Sequence, residues 1–178
     1  MVDAGLYSYV RDKFPETVSI KDEGLRDIVI RMWVMAMDEG GWSDLEGIPF
    51  TLLIPDVPYD LVTHTRRVTA EAVAVAGARG DLDMDLVIAG GLTHDVGKLL
   101  EFVKLPDGSV VKSETGKLLR HPVTGMELAK RAGAPVKLQH IIIVHSKEGE
   151  AVRRIPEAIL IHHCDFIDFH IAKYHAGM

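Results

Sequence analysis

The sequence predicts an all-α fold, an orthogonally packed helical bundle, with one short β-hairpin near residues 102–112. Three observations predict it. Apolar residues recur at spacings of three and four along most of the chain. Prolines and glycines stand where those periodic stretches begin and end. A single stretch alternates with a period of two.

In chain order, the spacing predicts helices over residues 25–37, 61–76, 86–100, 122–132, 136–145 and 156–173. Pro122 and Pro156 suit first-turn positions, where the missing N–H has no partner to lose, and Gly40, Gly77, Gly80 and Gly133 fall where helices should stop. Residues 41–59 carry Pro49, Pro55 and Pro58, which predicts a loop crossing the bundle. The segment FVKLPDGSVVK at 102–112 alternates around Asp107-Gly108, the turn chemistry of a two-stranded flap.

A chain of 178 residues is of ordinary single-domain size and can bury roughly 70% of its unfolded surface. Apolar residues make up 47% and charged residues 26%, a globular balance that argues against disorder. With no internal repeat or Ser/Gly-rich linker, one domain over 1–178 is expected. The longest apolar runs fall short of the roughly 20 residues that span a bilayer, and Met1 to Val10 does not read as an export signal, so a cytoplasmic protein without a membrane partner is expected. The single cysteine, Cys164, cannot close an internal disulfide. A net charge of −6 argues against long nucleic acid as a partner but not against a small phosphorylated molecule, because bound metal ions would supply local positive charge.

The informative feature is an ordered set of metal-capable side chains: His64, His94-Asp95, His121, His145 and Asp165, each pair or residue on its own predicted helix or helix end. Imidazole and carboxylate suit Mn, Fe, Ni, Co or Zn. Adjacent residues on a helix point about 100° apart, so His94 and Asp95 can face two neighbouring ions, with Asp95 the natural bridge. A lone histidine on an apolar helix face is more often a hydrogen-bonded core residue. His64 does lie inward, between Leu61 and Val68. Asp165, among Ala158, Ile161 and Phe169, is harder to explain without a nearby cation, because an unpaired buried carboxylate is costly.

The strings LTHDVGK at 92–98, HPVTGMELA at 121–129 and ILIHHCDFID at 159–168 resemble the successive motifs of the HD-domain superfamily of metal-dependent phosphohydrolases. The similarity covers roughly residues 60–170, and its specificity rests on the order His, His-Asp, His, His, Asp. The resemblance implies the family's all-helical bundle with one or two divalent ions (Mn, Fe, Ni, Co, Zn or Mg) in a central cleft. It implies His64, His94, Asp95 and Asp165 as ligands of one ion, and His121 and His145 with shared Asp95 as ligands of a second. On this view residues 59–175 form the metal-binding core and residues 1–58 an N-terminal helical extension and loop.

The chain also departs from that pattern. Members with a fuller site carry two consecutive histidines where this chain has Val144-His145-Ser146, which predicts fewer protein ligands for the second ion. Ser146 to Glu150 lacks the Gly-Tyr-Pro signature of the cyclic-dinucleotide branch, which disfavours cleavage of cyclic di-GMP. Asp60, one turn before His64, is either an extra acidic ligand or a helix cap. His140 should point about 140° from His145 on a continuous helix and is read as structural. His162, one turn before Asp165, is read as a donor to it, and His170 and His175 as solvent-facing.

The activity implied is hydrolysis of a small phosphorylated substrate, a nucleotide or related phosphoester, by attack of a metal-bound water or hydroxide. Lys98, four residues after His94 and three after Asp95, falls on the ligands' side of the predicted helix and is the candidate for stabilising charge on the phosphate, with Asp95 the central catalytic group. A helix-end lysine held by the dipole is the competing explanation. Arg120 and Arg67 are weaker candidates for phosphate contact. The same ligand order also fits a di-iron oxygenase of the myo-inositol oxygenase type, or a non-catalytic regulatory or binding module that has kept the fold.

Overall fold

Two buried indoles brace one stretch of the chain in the computed structural model, which describes residues 4–178. Trp33, on helix α2 (Glu23–Gly40), donates its ring N–H to the carbonyl of Leu92 at 2.9 Å, and Trp42, just past that helix, donates to the carbonyl of Leu99 at 2.8 Å. The two accepting carbonyls flank His94 and Asp95. The most chemically loaded stretch of the chain is therefore pinned on both sides by buried aromatic groups whose own N–H must find a partner.

Helix α4 (Met84–Thr93) leads into that stretch and is buried continuously from Leu86 to Thr93. A helix apolar all round belongs in the core. Around it pack α2, α3 (Leu61–Arg79), α8 (Val136–Val144) and α9 (Pro156–His175). The approach of α3 to α4 depends on Gly91, where an added Cβ would stand 2.7 Å from Thr69 Oγ1 and 2.9 Å from its Cα. Helix α1 (Ala4–Lys13) and a 3-10 turn (Pro15–Ser19) pack on α2. One apolar cluster runs from Val10 to Ala172.

Local chemistry starts and stops these helices. Asp22, Asp60 and Asp83 cap α2, α3 and α4, each accepting a backbone N–H from three residues ahead, and Pro122 and Pro156 occupy the first turns of α7 (His121–Arg131) and α9. Gly80, at φ 74°, takes the left-handed conformation that ends α3, whereas Gly77, expected as a stop, lies inside that helix. Glycine weakens a helix interior, but it ends the helix only where the backbone turns left-handed.

The stretch 86–100, expected as one helix, is divided. Helix α4 ends at Thr93 and a short turn, α5 (Lys98–Glu101), resumes the winding. Between them the backbone tightens to bonds spanning three residues, Val96 N–H to Thr93 O at 3.2 Å and Lys98 N–H to Asp95 O at 2.9 Å. Such winding eclipses side chains three apart, which brings Lys98 over Asp95. It also presses Gly97 onto α7, where a Cβ would stand 2.1 Å from the His121 carbonyl oxygen.

The expected hairpin is present. Strands β1 (Phe102–Lys104) and β2 (Val110–Lys112) pair antiparallel with Phe102 opposite Lys112, and Gly108 turns the chain at φ 86°. Helix α6 (Glu114–Leu118) follows it. Residues 41–59 form the expected loop, closed by a bridge between Pro49 and Asp60. Among the described residues no helix is long and apolar enough to cross a membrane.

Candidate metal centre

Four buried imidazoles converge on the two oxygens of one buried carboxylate. Asp95 Oδ2 lies 3.3 Å from His64 Nε2 and 3.4 Å from His94 Nε2, while Oδ1 lies 3.2 Å from His121 Nε2 and 3.6 Å from His145 Nε2. The Nε2 atoms within each histidine pair stand 3.3 Å apart. Asp165 completes the first group, with Oδ1 3.3 Å from His64 Nε2 and 4.0 Å from His94 Nε2. Two candidate half-sites result: His64, His94, Asp95 and Asp165, and Asp95, His121 and His145.

The donor set fits a divalent cation. Ligand atoms about 2.1 Å from one ion stand about 3.0 Å apart along an octahedral edge and about 3.4 Å along a tetrahedral edge. Most spacings above fall in or near that range. The ring nitrogens are also correctly disposed, because each Nδ1 is engaged elsewhere: His64 with Asp168 Oδ2 at 2.6 Å, His94 with Gly91 O, His121 with Glu101 Oε2 and His145 with Ile142 O, the last three at 2.7 Å. Occupying Nδ1 aims Nε2 inward as the ligand atom.

Electrostatics point the same way. Burial disfavours charge on His64, but the carboxylates of Asp165, Asp168 and Asp95 outweigh it and raise its pKa to about 10. A cation, proton or metal, is favoured there. Burial lowers His121 to about 4 despite Asp95 and Glu101, which leaves it a neutral imidazole with a lone pair to donate. Burial would raise the Asp95 carboxyl, yet Lys98, His94 and His121 together hold it well below the usual range. Asp165 is likewise lowered against burial, chiefly by its bond to His64.

Lys98 is 7% exposed and donates to Asp95 Oδ2, with its ammonium 5.5 Å from the Phe50 ring centre. Asp95, Lys98, Arg120, His121 and Asp165 share one cavity of about 380 Å³. Arg120 is tied to Glu148 at 2.8 Å. Arg67, expected as a weak phosphate contact, does not line that cavity: it lies over the Tyr59 ring at 4.2 Å and 3.5 Å from Asp168, behind His64. Asp60 serves as the cap of α3 and joins neither half-site.

His162 bonds the His145 carbonyl at 2.6 Å, not Asp165, so it fixes the end of α8. His140 accepts the Ile155 N–H at 3.3 Å, a structural role as expected. Three residues that sequence reasoning did not single out shape the site. Phe50, from the proline-rich loop, stacks on His64 at 4.5 Å. Asp168 and Glu101 back His64 and His121. The available signal was spacing, since Asp168 follows Asp165 by three residues and Glu101 follows Lys98 by three.

Comparison with protein families finds that the model of the HD domain matches residues 61–169, which covers every member of both half-sites. Comparison with curated proteins and with solved structures found no match.

Proposed function

Because the chain belongs to the HD domain family, we propose that it is a metal-dependent phosphohydrolase acting on a small phosphorylated substrate, a nucleotide or related phosphoester. The observation that carries this reading is the division of Asp95, one oxygen toward each histidine pair, beside a cavity that also holds the Lys98 ammonium. His64, His94, Asp95 and Asp165 would hold one divalent ion, and Asp95, His121 and His145 a second. Such ions supply a water of lowered pKa and draw charge from phosphoryl oxygens.

The chain's own groups do the rest. Lys98 is placed to stabilise charge developing on the phosphoryl group, and Arg120 lines the same cavity. Lys112, Lys147 and Lys173 also line the cavity, so an anion finds local positive charge there despite the net charge of −6. Phe50, Phe166 and Phe169 give the cavity an aromatic side suited to a flat ring, and its volume is at the small-molecule end of binding sites. Attack by water needs no protein nucleophile. The one cysteine is a poor alternative, since Cys164 is buried, lies outside the cavity and has its thiol pushed up to about 11 by burial.

Metal analysis of protein purified without oxygen, followed by phosphate release from a nucleotide panel with Mn under argon, tests the reading. Turnover under argon is expected. Iron-dependent oxygen uptake with no phosphate release would favour the oxygenase, and the absence of both metal and turnover a binding module; either result overturns the proposal.

A further inference from the structure

The four histidines of the two half-sites are held in two different ways, and their positions in the helices explain why. His94 and His145 stand at the C-terminal ends of α4 and α8, and each ring donates to the carbonyl three residues back, Gly91 O and Ile142 O. The last carbonyls of a helix lack amide partners, so the local backbone supplies the acceptor. His64 and His121 lie in the first turns of α3 and α7. There the spare backbone groups are N–H donors, which cannot accept from an imidazole. The acceptor must come from another element, and in both cases it is a buried carboxylate: Asp168 from α9 and Glu101 from α5.

Each carboxylate is itself held by a side chain from a non-helical segment. Asp168 Oδ2 accepts the Tyr59 hydroxyl at 2.9 Å, from the loop of residues 41–59. Glu101 Oε1 lies 3.1 Å from Lys112 Nζ on the hairpin, and its Oε2 also accepts the His121 backbone N–H at 2.7 Å. Each half-site thus contains one histidine anchored by its own helix and one anchored through a carboxylate.

We propose that Asp168 and Glu101 are positioning residues that hold the His64 and His121 rings with Nδ1 as donor and Nε2 as ligand, each setting metal affinity at its own half-site. A carboxylate behind an imidazole fixes the ring and raises its basicity, and its loss costs about 10- to 100-fold in metal affinity. Tyr59 and Lys112 act one step further out. The inference rests on the metal-site reading above.

The test is a calorimetric Zn titration, with imidazole N–H resonances of the Zn-loaded protein recorded alongside. Asp168→Asn should weaken one class of site about 10- to 100-fold and shift only the His64 Nδ1–H resonance. Glu101→Gln should do the same for the other class and for His121. Tyr59→Phe and Lys112→Gln, which leave both carboxylates in place, should give smaller losses confined to the same half-sites. Unchanged affinities and resonances, or equal losses at both half-sites, would overturn the assignment while leaving the metal reading intact. Failure of the unsubstituted protein to bind Zn, Mn or Fe in the same titration would instead remove the metal reading, and this inference with it.

Discussion

Lys98 bends over a single tightened turn to place its ammonium on Oδ2 of Asp95, the oxygen that also faces His64 and His94. The pairing leaves the lysine at the meeting point of the carboxylate and the cavity. A cation fixed there favours a reaction in which negative charge grows on a bound group. Lys98→Met should lower kcat by about a hundredfold, with a smaller rise in KM, the pattern of an interaction made chiefly in the transition state. Steady-state phosphate release with Mn measures it, and an effect confined to KM would place Lys98 in ground-state binding instead.

Asp95 is the one residue common to both half-sites. Asp95→Ala should therefore remove both ions together and abolish turnover, while far-ultraviolet circular dichroism stays helical. Full metal content in the variant would refute the shared-ligand map.

The half-sites are unequal, four candidate ligands against three. His145→Ala, which leaves the smaller group with Asp95 and His121, should bring occupancy toward one ion per chain with the His64 side still loaded. Metal content by elemental analysis decides this, and parallel loss of both ions would show the half-sites to be inseparable.

Glu101 gives acid stability a specific component. Burial alone would raise its pKa, but the bonds from His121 lower it from 4.5 to about 2. A carboxyl depressed in the folded state contributes stability above its unfolded value, and that contribution is lost as pH falls from 4.5 through about 2. Urea midpoints of chelator-treated protein should accordingly fall over this window. Glu101→Gln should flatten the fall there and leave the curve above pH 5 parallel to that of the parent protein.

Two glycines should respond oppositely to alanine. At Gly97 a Cβ would stand 2.1 Å from the His121 carbonyl oxygen and 2.6 Å from the Gly125 nitrogen, both backbone atoms that cannot swing aside. Gly97→Ala should cost about 1–3 kcal/mol and several degrees of melting temperature, and should weaken metal binding because α7 carries His121. Gly77, exposed and helical with nothing within 4 Å of its would-be Cβ, should gain up to about 1 kcal/mol. Thermal melts of the two variants provide the comparison.

The sequence by itself determined the longer helical stretches from residue 25 onward, the hairpin and the order of metal-capable residues, because these depend on periodicity and on turn chemistry that act over a few residues, whereas the short helix α6 carried no such pattern. Apolar spacing placed His64 on the inward face of α3, and Asp107-Gly108 marked the hairpin turn. The tertiary structure decided what depends on separate elements meeting. Asp168 stands 104 residues from His64, and Glu101 20 residues from His121, so no local pattern announced either partnership. Phe50 covers His64 from a loop with no periodicity to read. The break after Thr93 escaped the helical pattern because the apolar spacing continues through it, whereas the tightened winding accompanies the packing of Gly97 against α7. His162 had the spacing to serve Asp165 but turns to the His145 carbonyl, an acceptor that exists only where α8 ends beside α9. Short-range sequence specifies which faces turn inward; which donor meets which acceptor is fixed only when those faces pack.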